Sequence, residues 1–213
     1  GGKVLIGGDW QGSGDLLQAT YLNIDDATKI SADALISGSG GTVVAWSNIK
    51  DENSLTKVSG TLSAKGIDGD GGQIETSGNT LLYNNIKVNT SSESGAYGNW
   101  LLDPTNLTIG SSEASTHASS LETTNVTLTA DETITVNNNI SYTGARDSTL
   151  TFDATTTVLN ANISSNNGTL SIDINTILEI GASNTSITTN GGNVDVSGII
   201  RAVSGENNNF TID

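Results

Sequence analysis

Along the second half of the chain, apolar residues return at a fixed interval. Leu128, Leu150, Ile172 and Val194 are spaced by 22 residues three times in succession. Two residues on, Ala130, Phe152, Ile174 and Val196 are also all apolar, and eight residues after the first set come Val136, Val158, Ile180 and Ala202. Between these sets Ile134, Thr156, Leu178 and Ile200 match with one lapse. Within each copy the apolar positions fall two apart, which is the strand period and not the helical one. The alternate positions are polar: Thr127 and Thr129, Thr149 and Thr151, Ser171 and Asp173, Asn193 and Asp195. Asn137-Asn138-Asn139, Asn166-Asn167-Gly168 and Asn190-Gly191-Gly192 supply the turn chemistry between strands.

Two or three short half-buried strands per copy, at a period of about 22 residues, predict one coil of a β-solenoid. The expected fold class is all-β: a right-handed parallel β-helix, the hand following from the chirality of parallel crossovers. Stacked coils would line up each apolar column in a narrow core, at about 4.8 Å per coil. Four regular coils are expected over 125–212. If the whole chain wound this way, roughly nine or ten coils would result.

The first half has the same texture with uneven spacing. Gly40-Gly41-Thr42-Val43-Val44-Ala45-Trp46 and Gly71-Gly72-Gln73-Ile74-Glu75 open on paired glycines and then alternate, and Val58 to Ala64 reads as another strand. The Gly-Gly pairs at 1, 40 and 71 lie 39 and 31 apart, so these coils are expected to carry loops. Asp51–Lys57 is one candidate insertion. Gly110–Thr123, rich in Ser, Thr and Ala, is another, and it suits a short helix capping or flanking the coils. No stretch reads as a linker, so 1–213 is taken as one β-helix segment. The chain opens on Gly1-Gly2-Lys3-Val4 without methionine, and it is read as a piece of something longer.

Composition agrees with a thin core. Apolar residues make up 34% and aromatics 4%, too little for a thick globular interior but enough for a narrow aliphatic one. Twenty-five glycines against a single proline, Pro104, speak against a disordered low-complexity chain. The formal net charge of −15 disfavours nucleic acid and anionic membranes, whose phosphates are met by lysine and arginine. There is no cysteine, which suits a chain exported unfolded and does not place the protein in the cytosol.

Enzymatic chemistry finds little support. Asp131, Asp153 and Asp195 recur at repeat positions, as a solvated polar column does, whereas a catalytic site occurs once. His117 is the only histidine, and in its Ser/Thr-rich stretch it reads as solvent-exposed and not catalytic. Ile67-Asp68-Gly69-Asp70-Gly71-Gly72 loosely resembles a glycine-rich calcium turn, but tandem sites are absent and a tight turn explains it better. Asp25 with Asp26, and Asp9 with Asp15, are looser pairs still. The Thr-x-Thr pairs have the look of an ice-binding face, yet the column decays to Asp173 and Asp195, and β-branched residues suit outward strand positions anyway. Trp10, Trp46 and Trp100 fit the capping of a core better than a sugar-stacking platform. No catalytic, cofactor or metal residues are assigned.

Several strings resemble one family when taken together. They are Gly1-Gly2-Lys3-Val4-Leu5-Ile6-Gly7-Gly8-Asp9-Trp10-Gln11-Gly12, then Ile30 to Ala34, Gly40 to Ser47, Gly60 to Gly66, Gly71 to Gly78 and Gly98-Asn99-Trp100-Leu101-Leu102-Asp103-Pro104. Their order resembles the two-partner-secreted, filamentous-haemagglutinin-type exoproteins, most closely the high-molecular-weight adhesin group. The likeness covers about residues 1–110. It implies a secreted adhesin segment on the bacterial cell surface, exported through an outer-membrane β-barrel transporter, with a host-cell receptor or glycan as the partner of the full-length protein. The alternative is a carbohydrate-binding or carbohydrate-cleaving β-helix. The resemblance also implies glycosylation by a cytoplasmic glycosyltransferase at Asn-x-Ser/Thr sequons. The candidates are Asn89, Asn106, Asn125, Asn139, Asn162, Asn167, Asn184 and Asn209, although a chain this rich in Asn, Ser and Thr also makes sequons by composition.

Overall fold

The computed structural model describes residues 1–205 and 207–213. The chain falls into two compact units, 1–105 with 123–125, and 106–122 with 126–213. Each unit is a stack of parallel strands, so the protein is a β-solenoid with little helix.

In the first unit each coil contributes one strand to each of three sheets. The first coil supplies β1 (Lys3–Ile6), β2 (Tyr21–Ile24) and β3 (Lys29–Ser31). The second supplies β4 (Thr42–Trp46), β5 (Leu55–Val58) and β6 (Gly60–Ser63), and the third β7 (Gln73–Ser77), β8 (Thr80–Leu82) and β9 (Ile86–Asn89), followed by β10 (Asn99–Asp103). The sheets run β1-β4-β7-β10, β2-β5-β8 and β3-β6-β9, all parallel. Lys3, Thr42, Gln73 and Asn99 stand in register, so successive coils run 39, 31 and 26 residues. Long coils wind fewer turns from the same chain than a uniform 22-residue period would.

The Gly-Gly pairs do mark coil starts, for a steric reason. A Cβ on Gly41 would lie 1.9 Å from the Gly2 carbonyl oxygen, one on Gly72 2.0 Å from that of Gly41, and one on Gly98 1.9 Å from that of Gly72. Backbone passes over backbone at this corner, leaving no room for any side chain. Val58–Ala64 is two strands and not one. The chain turns between them at Gly60, whose φ of 83° is open to glycine at little cost. The insertion expected over Asp51–Lys57 is shorter, since β5 already starts at Leu55. Ile24, Val43, Val58, Leu62, Ile74, Ile86, Val88, Trp100 and Leu102 are buried. Each such side chain contributes about 1.5–3 kcal/mol of hydrophobic stabilisation.

The second unit begins with β11 (Leu107–Ile109) and helix α1 (Ser111–Leu121). There follow β12 (Asn125–Val136), β13 (Ile140–Tyr142), β14 (Ser148–Leu159), β15 (Ile163–Ser165), β16 (Leu170–Ile174), β17 (Ile177–Ile180), β18 (Thr185–Thr188), β19 (Val194–Val196), β20 (Ile200–Ala202) and β21 (Phe210–Ile212). One face stacks β12-β14-β16-β19. A second stacks β11, the latter halves of β12 and β14, β17 and β20, and a third stacks β13-β15-β18-β21.

The 22-residue interval holds from Leu150 through Ile172 to Val194, which lie in one file. Leu128 does not join it. Val126 pairs with Leu150, and Leu128 pairs with Phe152 in the neighbouring file, so the first coil here is two residues longer. A register shift between Ala130 and Thr133 then changes the far end of the coil. Val136 pairs with Leu159, and Leu159 with Ile180, so Leu159 and not Val158 occupies that column. Likewise Thr157, not Thr156, stands between Ile134 and Leu178. The irregularity swaps which residue faces inward, as a one-residue slip in any strand must.

Helix α1 forms where the strand alternation lapses. Its first turn is held by the Glu113 carboxylate, which accepts the Gly110 N–H at 3.1 Å. Ala114, His117 and Leu121, three and four apart, make its buried face, and the helix packs mainly on β13. His117 is therefore wholly buried and not solvent-exposed as the sequence suggested. The Ser/Thr-rich stretch is an ordered helix, and one turn of it is enough to aim the ring inward.

Candidate functional site

Two places in the molecule gather polar groups in an arrangement beyond simple strand packing. The first lies in the second unit, where the turns leading into β13, β15 and β18 pile up. Asn137, Asn138, Asn139, Asn160, Asn162 and Asn184 line an open groove of about 490 Å³, closed on one side by Ser111 and Ser115 of α1. No residue lining it is charged. The amides are fixed by the coil above. Asn139 Oδ1 accepts the Asn162 N–H at 3.0 Å, and Asn162 Oδ1 accepts the Ser186 N–H at 2.9 Å. Asn160 Nδ2 donates to Asn137 Oδ1 at 2.8 Å. Gly181 leaves room for this pair, because a Cβ there would lie 1.9 Å from Asn160 Oδ1.

The sequon asparagines differ in what their acceptor nitrogen does. Asn106 Nδ2 donates to Glu132 at 2.7 Å, Asn125 Nδ2 to the Tyr97 carbonyl at 3.2 Å, Asn167 Nδ2 to the Thr143 carbonyl at 3.4 Å, and Asn209 Nδ2 to Asn184 Oδ1 at 3.4 Å. Asn89 Oδ1 accepts the Ser91 N–H and hydroxyl. Asn139, Asn162 and Asn184 engage through Oδ1, and among the described residues their Nδ2 atoms donate to no protein group. Three of the eight sequons thus converge on one groove.

The second place is in the first unit and was not foreseen from the sequence. Glu75 in β7 is fully buried beneath the loop that follows β1. Its Oε2 accepts the Gln11 N–H at 2.8 Å, and its Oε1 accepts the Ser77 hydroxyl at 3.0 Å. Burial pushes its carboxyl from 4.5 up to about 7; the Gln11 and Ser77 hydrogen bonds oppose the rise, and the nearby Asp103 charge adds to it. Gln11 itself adopts φ 51°, an uncommon left-handed conformation for a residue with a side chain. Gly8 and Gly12 of the same loop lie against the Trp46 indole, whose Nε1 donates to Gln18 Oε1 at 3.2 Å. A Glu flanked by Ile74 and Thr76 on an alternating strand reads as solvated. The one signal to the contrary is the glycine-rich run from Gly7 to Gly14, which lets a loop lie flat on that face.

The other candidates have local roles. Asp68 accepts the Gly38 N–H, and Asp70 Oδ1 accepts the Ala96 N–H at 2.9 Å, so both carboxylates tie turns of neighbouring coils together. Asp9 Oδ2 accepts the Leu16 N–H at 3.1 Å, and Asp25 Oδ1 accepts the Thr28 hydroxyl at 2.7 Å. Among the described residues no three His, Asp or Glu side chains converge as metal ligands would. His117 is surrounded by core, and burial drives its imidazole from 6.5 down to about 3. Trp46 and Trp100 are inaccessible; Trp100 meets Tyr83 edge-on at 5.9 Å and donates from Nε1 to Thr76 Oγ1 at 2.9 Å. Neither can stack on a sugar. The threonine column is Thr127 then Thr151, and it passes directly to Asp173 and Asp195.

Comparison of the chain with protein-family models, with curated proteins and with solved structures found no match in any of the three.

Proposed function

We propose that this chain is a structural and adhesive stalk segment of a secreted bacterial surface adhesin, exported by the two-partner pathway. The observation that supports it most is the coil-on-coil pairing within each unit. Parallel strands satisfy the backbone of one coil with that of the next, and apolar files such as Leu150, Ile172 and Val194 run through the stack. Such a fold gains stability coil by coil and needs neither disulfide nor cofactor to hold a surface away from the cell. The glycine corner at Gly41, Gly72 and Gly98 lies within the strings that resemble the haemagglutinin-type exoproteins. A dedicated outer-membrane β-barrel transporter would carry the chain, and folding outside would oppose its return. Sequon glycosylation by a cytoplasmic transferase before export belongs to the same reading.

The test is made in the producing bacterium. Intact cells are treated with protease and probed for the chain, with and without the gene of an outer-membrane β-barrel transporter of the two-partner type. The proposal expects protease-sensitive surface chain that disappears with the transporter, together with reduced adherence to host cells. A chain that stays protected inside the cell, or reaches the surface without the transporter, overturns it.

A further inference from the structure

We infer that the amide-lined groove of the second unit is a binding site for a neutral, extended saccharide chain. The stalk reading rests on the coils, whereas this inference rests on the groove and takes Asn139, Asn162 and Asn184 as unglycosylated.

The inference starts from what the groove has left to offer. Backbone groups along it are already spent between coils: the Asn160 N–H on the Val136 carbonyl at 2.9 Å, the Ile140 N–H on the Asn162 carbonyl at 3.0 Å, and the Asn162 N–H on Asn139. No strand edge is presented there, so an extended peptide would find no ladder to join. The side-chain amides are what remains. At Asn139 and Asn162 the oxygen faces a backbone N–H, which only donates, so the orientation of each amide is set and Nδ2 is turned away from that bond. Asn137 Oδ1 accepts instead from the side-chain Nδ2 of Asn160.

The result is a grid of amides, two residues apart along a coil and one coil apart across it. Neighbouring coils are separated by the strand spacing of about 4.8 Å, which sets the interval between corresponding amides. Ser115 donates its hydroxyl to the Ser111 carbonyl at 2.9 Å, which leaves its oxygen lone pairs on the opposite wall as acceptors. The ligand must therefore accept several hydrogen bonds in a row and donate a few. It is uncharged, because the lining holds neither a cation for an anionic group to meet nor a carboxylate for a cationic one. Polyhydroxyl rings joined in a chain meet each requirement. The only apolar side chains in the lining are Ala114 and Ala161, so no ring face is clasped and single-site affinity is weak.

The test is NMR of the 15N-labelled chain, read at the asparagine side-chain NH₂ signals. Cellotetraose and tetra-N-acetylchitotetraose are the neutral probes, tetragalacturonate the anionic one and pentaglycine the peptide one. Saturable shifts of the Asn139 and Asn162 NH₂ signals are expected with a neutral tetrasaccharide, and none with the other two probes. Asn162→Asp keeps the oxygen that holds Ser186 and removes the donor, so it should weaken binding about tenfold while the backbone spectrum stays put. Asn139→Asp does the same for the first coil, and Asn167→Ala, outside the groove, should change nothing. No saturable shift with either neutral sugar, equal binding by the Asp variants, or equal response to tetragalacturonate or pentaglycine would each overturn the assignment.

Discussion

Replacing Glu75 by glutamine keeps the shape of the side chain and removes its proton equilibrium. In the unfolded chain Glu75 releases its proton near 4.5, and in the folded chain near 7. The folded state therefore holds the proton more tightly, and the contribution of Glu75 to stability is greatest below pH 4.5. Stability falls as pH rises through that window and levels off above 7, where both states are ionised. At about 1.4 kcal/mol per tenfold change in proton affinity, the full loss is about 3 kcal/mol. Glutamine does not suffer this loss: its oxygen can accept the Gln11 N–H and its NH₂ can donate to Ser77. Urea unfolding of the wild type and Glu75→Gln, followed by tryptophan fluorescence at pH 4, 6 and 8, measures the difference. The variant should gain on the wild type by about 3 kcal/mol between the extremes. Curves that stay parallel across this range would refute the idea that the loop after β1 seals an uncompensated carboxyl in the first unit.

Four further outcomes follow from the packing. Ile172→Asp places a charge in the file between Leu150 and Val194 and should cost several kcal/mol, about 4, read as a lowered thermal midpoint of the second unit. Gly98→Ala brings a Cβ to 1.9 Å from the Gly72 carbonyl oxygen and should cost about 1–3 kcal/mol in denaturant unfolding. Thr157 is buried in an apolar column, and its hydroxyl makes no hydrogen bond among the described residues; Thr157→Val should raise stability by about 1 kcal/mol or more in the same assay. The His117 imidazole should stay neutral from pH 8 to pH 5 by NMR, whereas in the unfolded chain it charges near 6.5. His117 therefore contributes stability that is present above 6.5 and is lost as pH falls from there toward 3, opposite in sign to Glu75.

The candidate sites were legible to different degrees. The sequons and the asparagine turns are visible as strings, but their meeting in one groove is not, because it depends on turns of successive coils landing above one another beside α1. Glu75 carried no mark at all. Its burial comes from a loop some sixty residues earlier in the chain, and a strand pattern reports only which face a residue takes, not what covers that face.

What the sequence determined by itself was the class of fold. Alternation of period two, repeated at an interval of about 22, suits strands stacked coil on coil, and paired glycines at 40 and 71 marked where coils open. Tertiary structure decided the register. Leu128 stands one file over because the first coil of this unit is two residues longer, and Leu159 and Thr157 replace Val158 and Thr156 because register shifts after Ala130 and again after Phe152 change which alternate residues point inward. Periodicity fixes a face only relative to its own strand; the partner coil, through its hydrogen bonds, fixes where that strand begins.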